Sequence, residues 1–168
     1  MNRFFGRIAR LLRARRGVTA LEFALVAPML LTLMLVVMEG GILLFGQAAL
    51  DAATANAARL IRTGQAQQAT NGQALFTNAV CTGVASVVSC GSLWIDVKSG
   101  TSFAALTSSV STTGSPGTVS FSPGGPSSDV LVQVGYIPDS SVPLVGALLG
   151  AAFAPLMVST QVFQNEAY

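Results

Sequence analysis

Residues 23–38 form an unbroken run of 16 uncharged, mostly apolar residues, and after Glu39 a further 11 uncharged residues follow, 40–50. A helix needs about 20 such residues to cross the hydrocarbon layer of a bilayer. The first run alone falls slightly short, but extended through Glu39 to residue 45 it spans comfortably. Six of the nine basic residues (Arg3, Arg7, Arg10, Arg13, Arg15 and Arg16) precede this run, within the first 17 positions. The rest of the chain holds only Arg59, Arg62 and Lys98 against all seven acids. Lys and Arg beside a span resist translocation and mark the cytoplasmic side. The expected topology is a single pass through a membrane, with the N-terminus on the cytoplasmic side and the rest outside. A basic cluster also fits nucleic acid. Here it abuts an apolar run, and no aromatic or further basic residues follow to line a groove, so no nucleic-acid partner is expected.

An ordinary cleaved signal peptide is the first alternative. Such a segment has an apolar core of about 7–15 residues and then a small-residue cleavage site. This run is longer, and its alanine-rich matches lie only at residues 53–57, too far downstream. Two acids frame the run instead. Glu22 enters it at the basic edge, and Glu39 lies 17 residues later, about 25 Å along a helix. An ionisable group in or near hydrocarbon is costly, and is a functional hypothesis by default. The plainer reading is that both carboxylates simply reach the headgroups.

The junction reads Arg15-Arg16-Gly17-Val18-Thr19-Ala20-Leu21-Glu22-Phe23, with Pro28 a little further on. A basic leader ending in Gly, with Glu five residues later at the mouth of an apolar helix, resembles the processing site of type IV-type prepilins. There a membrane-embedded prepilin peptidase cuts after the Gly. The resemblance is closer to the TadE-like pseudopilins of tight-adherence (Tad/Flp) pilus systems. The features that carry it are Gly17, Glu22-Phe23, Leu25-Val26-Ala27-Pro28, Glu39, the Ala-rich residues 48–62 and the closing Asn165-Glu166. About a third of the chain is covered well. Gly40-Gly41 departs from the pattern, which more often has an aromatic residue and then a Gly after the second Glu. The resemblance implies a minor pilin or pseudopilin, cut between Gly17 and Val18, with Glu22, Phe23 and Glu39 serving assembly. In that setting Glu22 neutralises the new amino terminus of a neighbouring subunit. The implied partners are the prepilin peptidase, other pilins or pseudopilins of the system, the inner-membrane assembly platform and membrane lipid. The implied location is the bacterial inner membrane with the C-terminal domain periplasmic, or an extracellular pilus that incorporates it.

Downstream, residues 47–62 are dominated by Ala, the best helix former. Leu50, Ala53, Ala57, Leu60 and Ile61 recur at helical spacing as one apolar face. Arg59 and Arg62 suit the last turn of a helix, and Gly64 suits its stop. A helix over 20–63 would run about 66 Å, bent at Pro28 because proline removes a bond to the preceding turn. Residues 65–71 read as a polar break and 73–80 as a short helix. Cys81 and Cys90 are expected to pair as a disulfide across a hairpin-sized loop in an exported domain. A metal site, with two ligands and no His, and free thiols are the alternatives. Strands are expected at 93–98, 130–136 and 156–163 by their alternation, with one more short strand at 118–121. Residues 101–129 form a Ser/Thr/Gly/Pro-rich loop. The apolar stretch 142–155 has only 11 residues between Pro143 and Pro155, too few for a second span. It suits the core, the membrane surface or, preferably, a subunit interface.

The expected architecture is therefore α+β: a leader at 1–17, a transmembrane and stalk helix at 18–64, and an extracytoplasmic domain at 65–168 built on a small antiparallel sheet that packs on the helix. The chain contains no His, which excludes Ser-His-Asp and Cys-His nucleophile systems. No phosphate-binding loop or dinucleotide fingerprint occurs. Asp96, Asp129 and Asp139 show no paired-carboxylate spacing and read as turn or strand-edge residues. No enzyme, cofactor or metal site is expected. A second reading remains: an uncut membrane-anchored protein with an extracytoplasmic binding or adhesion domain.

Overall fold

The computed structural model describes residues 18–110, 117–136 and 156–168. Gly17 and the basic leader, Asp139 and the apolar stretch 142–155 lie outside the described residues. The chain divides into two compact units, one ending at Gly40 and one running from Gly41 to Tyr168. Helix α1 covers Val18–Arg62, including Pro28, Gly40 and Gly41. In the second unit a single turn, α2 (Gln65–Gln68), and a helix, α3 (Gly72–Val84), follow. Three strands follow among the described residues: β1 (Leu93–Gly100), β2 (Asp129–Tyr136) and β3 (Met157–Gln164). They form one antiparallel sheet in the order β1-β2-β3. The α+β architecture, with a helix packed on a small antiparallel sheet, is as the alternation and helical periodicity imply.

The core lies where the second half of α1 meets the sheet. Leu50, Ala53, Ala57 and Ile61 are buried against Val97, Val130, Val132, Val134 and Met157, with Phe76, Val80 and Val84 supplied by α3. The buried face of α1 is broader than the apolar spacing alone indicates. Thr54 and Ala58 join it, and Thr54 satisfies its hydroxyl on the carbonyl of Leu50 at 2.7 Å. Leu60 is only half-buried. On β3 the alternation holds as read: Met157 and Ser159 face the core, while Thr160 and Val162 face out.

Helix α1 ends at Gly64, whose φ of 80° is the left-handed conformation that favours glycine at a helix stop. The polar break contains α2, because the chain turns back immediately. Asn71 then caps α3 by accepting from the amide of Ala74 at 3.0 Å. That helix runs four residues past the expected end, to Val84, since Val84 is fully buried in the core. Cys81, in the last turn of α3, bonds to Cys90, with their Cα atoms 5.5 Å apart. The expected bridge is present, and it closes the turn that leads from α3 to β1.

The expected strand at 118–121 is instead an isolated bridge. Phe121 lies parallel to Val97 of β1. The amide of Val97 donates to the carbonyl of Ser120, and that of Ser122 to the carbonyl of Val97, each at 2.8 Å. Asp96, fully buried on β1, fixes this segment. Its carboxylate accepts from the amide of Ser120 at 2.7 Å and pairs with Lys98 at 3.2 Å. The Phe121 ring meets Phe76, with centroids 6.0 Å apart.

The C-terminal residues clamp the end of α1. The amide of Glu166 donates to the carbonyl of Arg62 at 3.0 Å, and the side chains of the two residues form an ion pair. Buried Asn165 donates through Nδ2 to the carbonyls of Pro123 and Gly125 at 2.9 and 3.0 Å. Tyr168 packs its ring over Gly64. Partial burial raises its phenol above the ordinary 10.0, with the Gln67 side chain pulling back in part.

Candidate functional site

The first part of α1 has the opposite character to the second. Leu21, Phe23, Leu25, Val26, Met29, Leu30, Leu31, Leu33, Met34 and Leu35 are all exposed. A soluble amphipathic helix confines its apolar residues to a stripe, whereas one that is apolar all round belongs in a core or a membrane. These residues wrap the whole circumference, so no single face could be hidden by docking on a domain. The helix is long and apolar enough to cross a membrane, and the qualifying window is unburied. A single N-terminal apolar helix of this kind is a membrane anchor in form.

The charged groups on this part of α1 are Glu22 and Glu39. Seventeen residues at about 100° each leave them about 25 Å apart along the axis and about 100° apart around it. Glu22 is exposed beside Phe23, one turn before Val26, in a setting whose neighbours are apolar. Glu39 is half-buried at the far end of the run. Gly40 and Gly41 beside it have open space where a side chain would stand. Their presence has not broken the helix. Between the two acids, Pro28 removes one amide from the helical ladder, and the Thr32 hydroxyl donates to the carbonyl of Pro28 at 2.7 Å. The two acids do not converge. They stand at opposite ends of an apolar column.

Val18 is the first described residue of α1, and Gly17 lies outside the described residues. Cys81 and Cys90 form their bond within the second unit. Among the described residues no group of three or more His, Cys, Asp or Glu gathers where a metal ion could be held. Sequence reasoning missed the work of Asp96, which secures the 117–122 segment, and of Gln133. The Gln133 Oε1 accepts from the amide of Ser109 at 2.9 Å and ties down the 108–109 backbone. A lone acid or amide amid alternating apolar residues was the available signal. It marks a buried polar anchor as readily as a strand edge.

Comparison with known proteins agrees with the resemblance read from the junction. Residues 17–59 match the family described as TadE-like protein. No curated protein and no solved structure matches the chain. The matched segment begins at Gly17 and takes in Glu22, Phe23, Pro28, Glu39 and the Ala-rich part of α1. Over that segment the chain is similar to the TadE-like proteins.

Proposed function

We propose that this chain is a minor pilin or pseudopilin of a tight-adherence pilus, processed by prepilin peptidase after Gly17 and held in the inner membrane by α1. The carrying observation is the TadE-like match over residues 17–59, which takes in a first part of α1 that is apolar on every side. A pilus component acts structurally, by packing its helix with others, and this reading assigns it no catalytic step. Residues 18–64 act as the transmembrane and stalk helix, and 65–168 as the extracytoplasmic domain.

The chemistry of assembly follows from the position of Glu22. Cleavage after Gly17 frees the amine of Val18, four residues before Glu22. In an apolar bundle an isolated ammonium or carboxylate is strongly disfavoured, while a mutual pair is tolerated. The amine of one subunit and the Glu22 carboxylate of a neighbour then accept only the register that brings them together. The expected result for Glu22→Ala is normal processing with impaired incorporation. Immunoblots of whole cells and of sheared pili measure both, and full incorporation of the variant would remove the role.

The intact mass, measured with and without an active prepilin peptidase, tests the processing. Loss of residues 1–17, leaving Val18 at the N-terminus, is expected with the peptidase. A full-length product beside a correctly cut control prepilin would instead identify an uncut membrane anchor with an extracytoplasmic binding or adhesion domain.

A further inference from the structure

The two edges of the sheet are treated differently. The outer edge of β1 is occupied by the 120–122 segment, bonded on both sides of Val97. The outer edge of β3 is not protected by its sequence. Met157–Gln164 contains no charge and no proline, the usual devices that blunt an edge. In antiparallel pairing, alternate residues turn their amide and carbonyl toward the partner strand. The amide of Asn165 continues toward the β2 side, to Ser128, so the odd-numbered residues face β2 and the even-numbered ones face out. The outward carbonyl of Val158 is taken by the Gln47 side chain at 3.1 Å. Thr160 and Val162 follow, both exposed.

Beside these residues a groove of about 200 Å³ separates β3 from the flank of α1. Ala55 and Ala58 keep one wall low, Val162 and Phe163 form the other, and Arg59 and Arg62 stand at one end. Arg62 is already paired with Glu166, and Lys98 with Asp96. Among the described residues Arg59 is the cation left without an ionic partner.

We propose that this groove binds an extended segment of a different protein, which adds as a strand to β3 and places a carboxylate against Arg59. Backbone bonds to Thr160 and Val162 would hold the segment, in the manner of strand addition at an exposed edge. Side chains on its outward face would pair with Val158 and Val162. An inward Asp or Glu would enter the groove and form a charge-assisted bond with the guanidinium. A second copy adding its own β3 at this edge offers no such acid, because Met157–Gln164 is uncharged. The inference is independent of the pilus reading, since an uncut anchor would carry the same groove.

The test uses the full chain in detergent micelles with the blocked peptide Thr-Val-Glu-Val-Thr and its Gln counterpart. Saturable binding of the Glu peptide, slowed hydrogen exchange at Thr160 and Val162, and about tenfold weaker binding of the Gln peptide are expected. Arg59→Gln should erase the difference between the peptides. Val162→Pro should abolish binding of both, because proline cannot donate from an edge strand. The near-UV signal of Trp94 verifies that each variant is folded, and Arg59→Gln, on an exposed helix position, keeps the test valid if the proline variant is not. Absence of binding tighter than about 1 mM, or binding indifferent to Arg59→Gln, would overturn the proposal. Self-association of the protein that Val162→Pro abolishes would also overturn it, by making a second copy the occupant.

Discussion

At Gly83 a side chain has no room, because a Cβ there would lie 2.6 Å from the Cβ of Ala53. Glycine on α3 and alanine on α1 let the two helices approach closely, and the small pair sets their separation. Gly83→Val is expected to destabilise the domain by about 1–3 kcal/mol through overpacking, seen as a lowered denaturant midpoint with an unchanged slope. Asn165 works by a different route. Its amide satisfies two carbonyls of the 123–125 turn from a position only 4 % exposed. Asn165→Ala leaves those acceptors short of a donor, at a cost of about 1–3 kcal/mol, measurable in the same denaturation series. The neighbouring Arg62–Glu166 pair is half exposed on both sides, and such pairs contribute little. Removing Glu166 alone should therefore matter less than removing Asn165.

The disulfide joins two elements that would otherwise meet only through a short turn. With Cys81 and Cys90 both changed to Ser, about 2–4 kcal/mol of stability should be lost. Reduction of the native chain should lower its thermal midpoint to about that of the double variant, and the two measurements check one another. Elements are also the scale at which the sequence was most informative. The apolar run, the Ala-rich continuation and the alternation at 93–98, 130–136 and 156–163 each encode their own period, so helix α1 and three strands were legible locally. The extension of α3 to Val84 was not, because it depends on burial against distant strands. The 118–121 segment failed as a strand for a related reason. Its polar Ser120 and its neighbours bond to Asp96 and Val97 at one bridge without a ladder. The junction residues were legible because their chemistry is local: a Gly, a Glu and a Phe beside an apolar run. The groove at Arg59 was not, since it exists only once α1 lies beside β3.

The second unit has its own buried core and its own covalent bond. A fragment beginning at Gly46, exported to an oxidising compartment, is expected to fold as a soluble domain with a single cooperative transition. Chromatography and thermal unfolding would check it, and a molten or aggregated product would show that residues before Gly46 complete the fold. The clamp at the end of α1 bears on how such a molecule is made. Gln47 meets Val158 across 111 positions, and Arg62 meets Glu166 across 104. In the proposed orientation the chain emerges helix first, and β3 arrives last. Leu50, Ala53, Ala57 and Ile61 then wait uncovered on the far side of the membrane while the intervening hundred residues follow. Long-range pairing of this kind is slow to form. The interval between emergence and closure is when the nascent chain is most open to chaperones, to proteases and to premature association with its fellows.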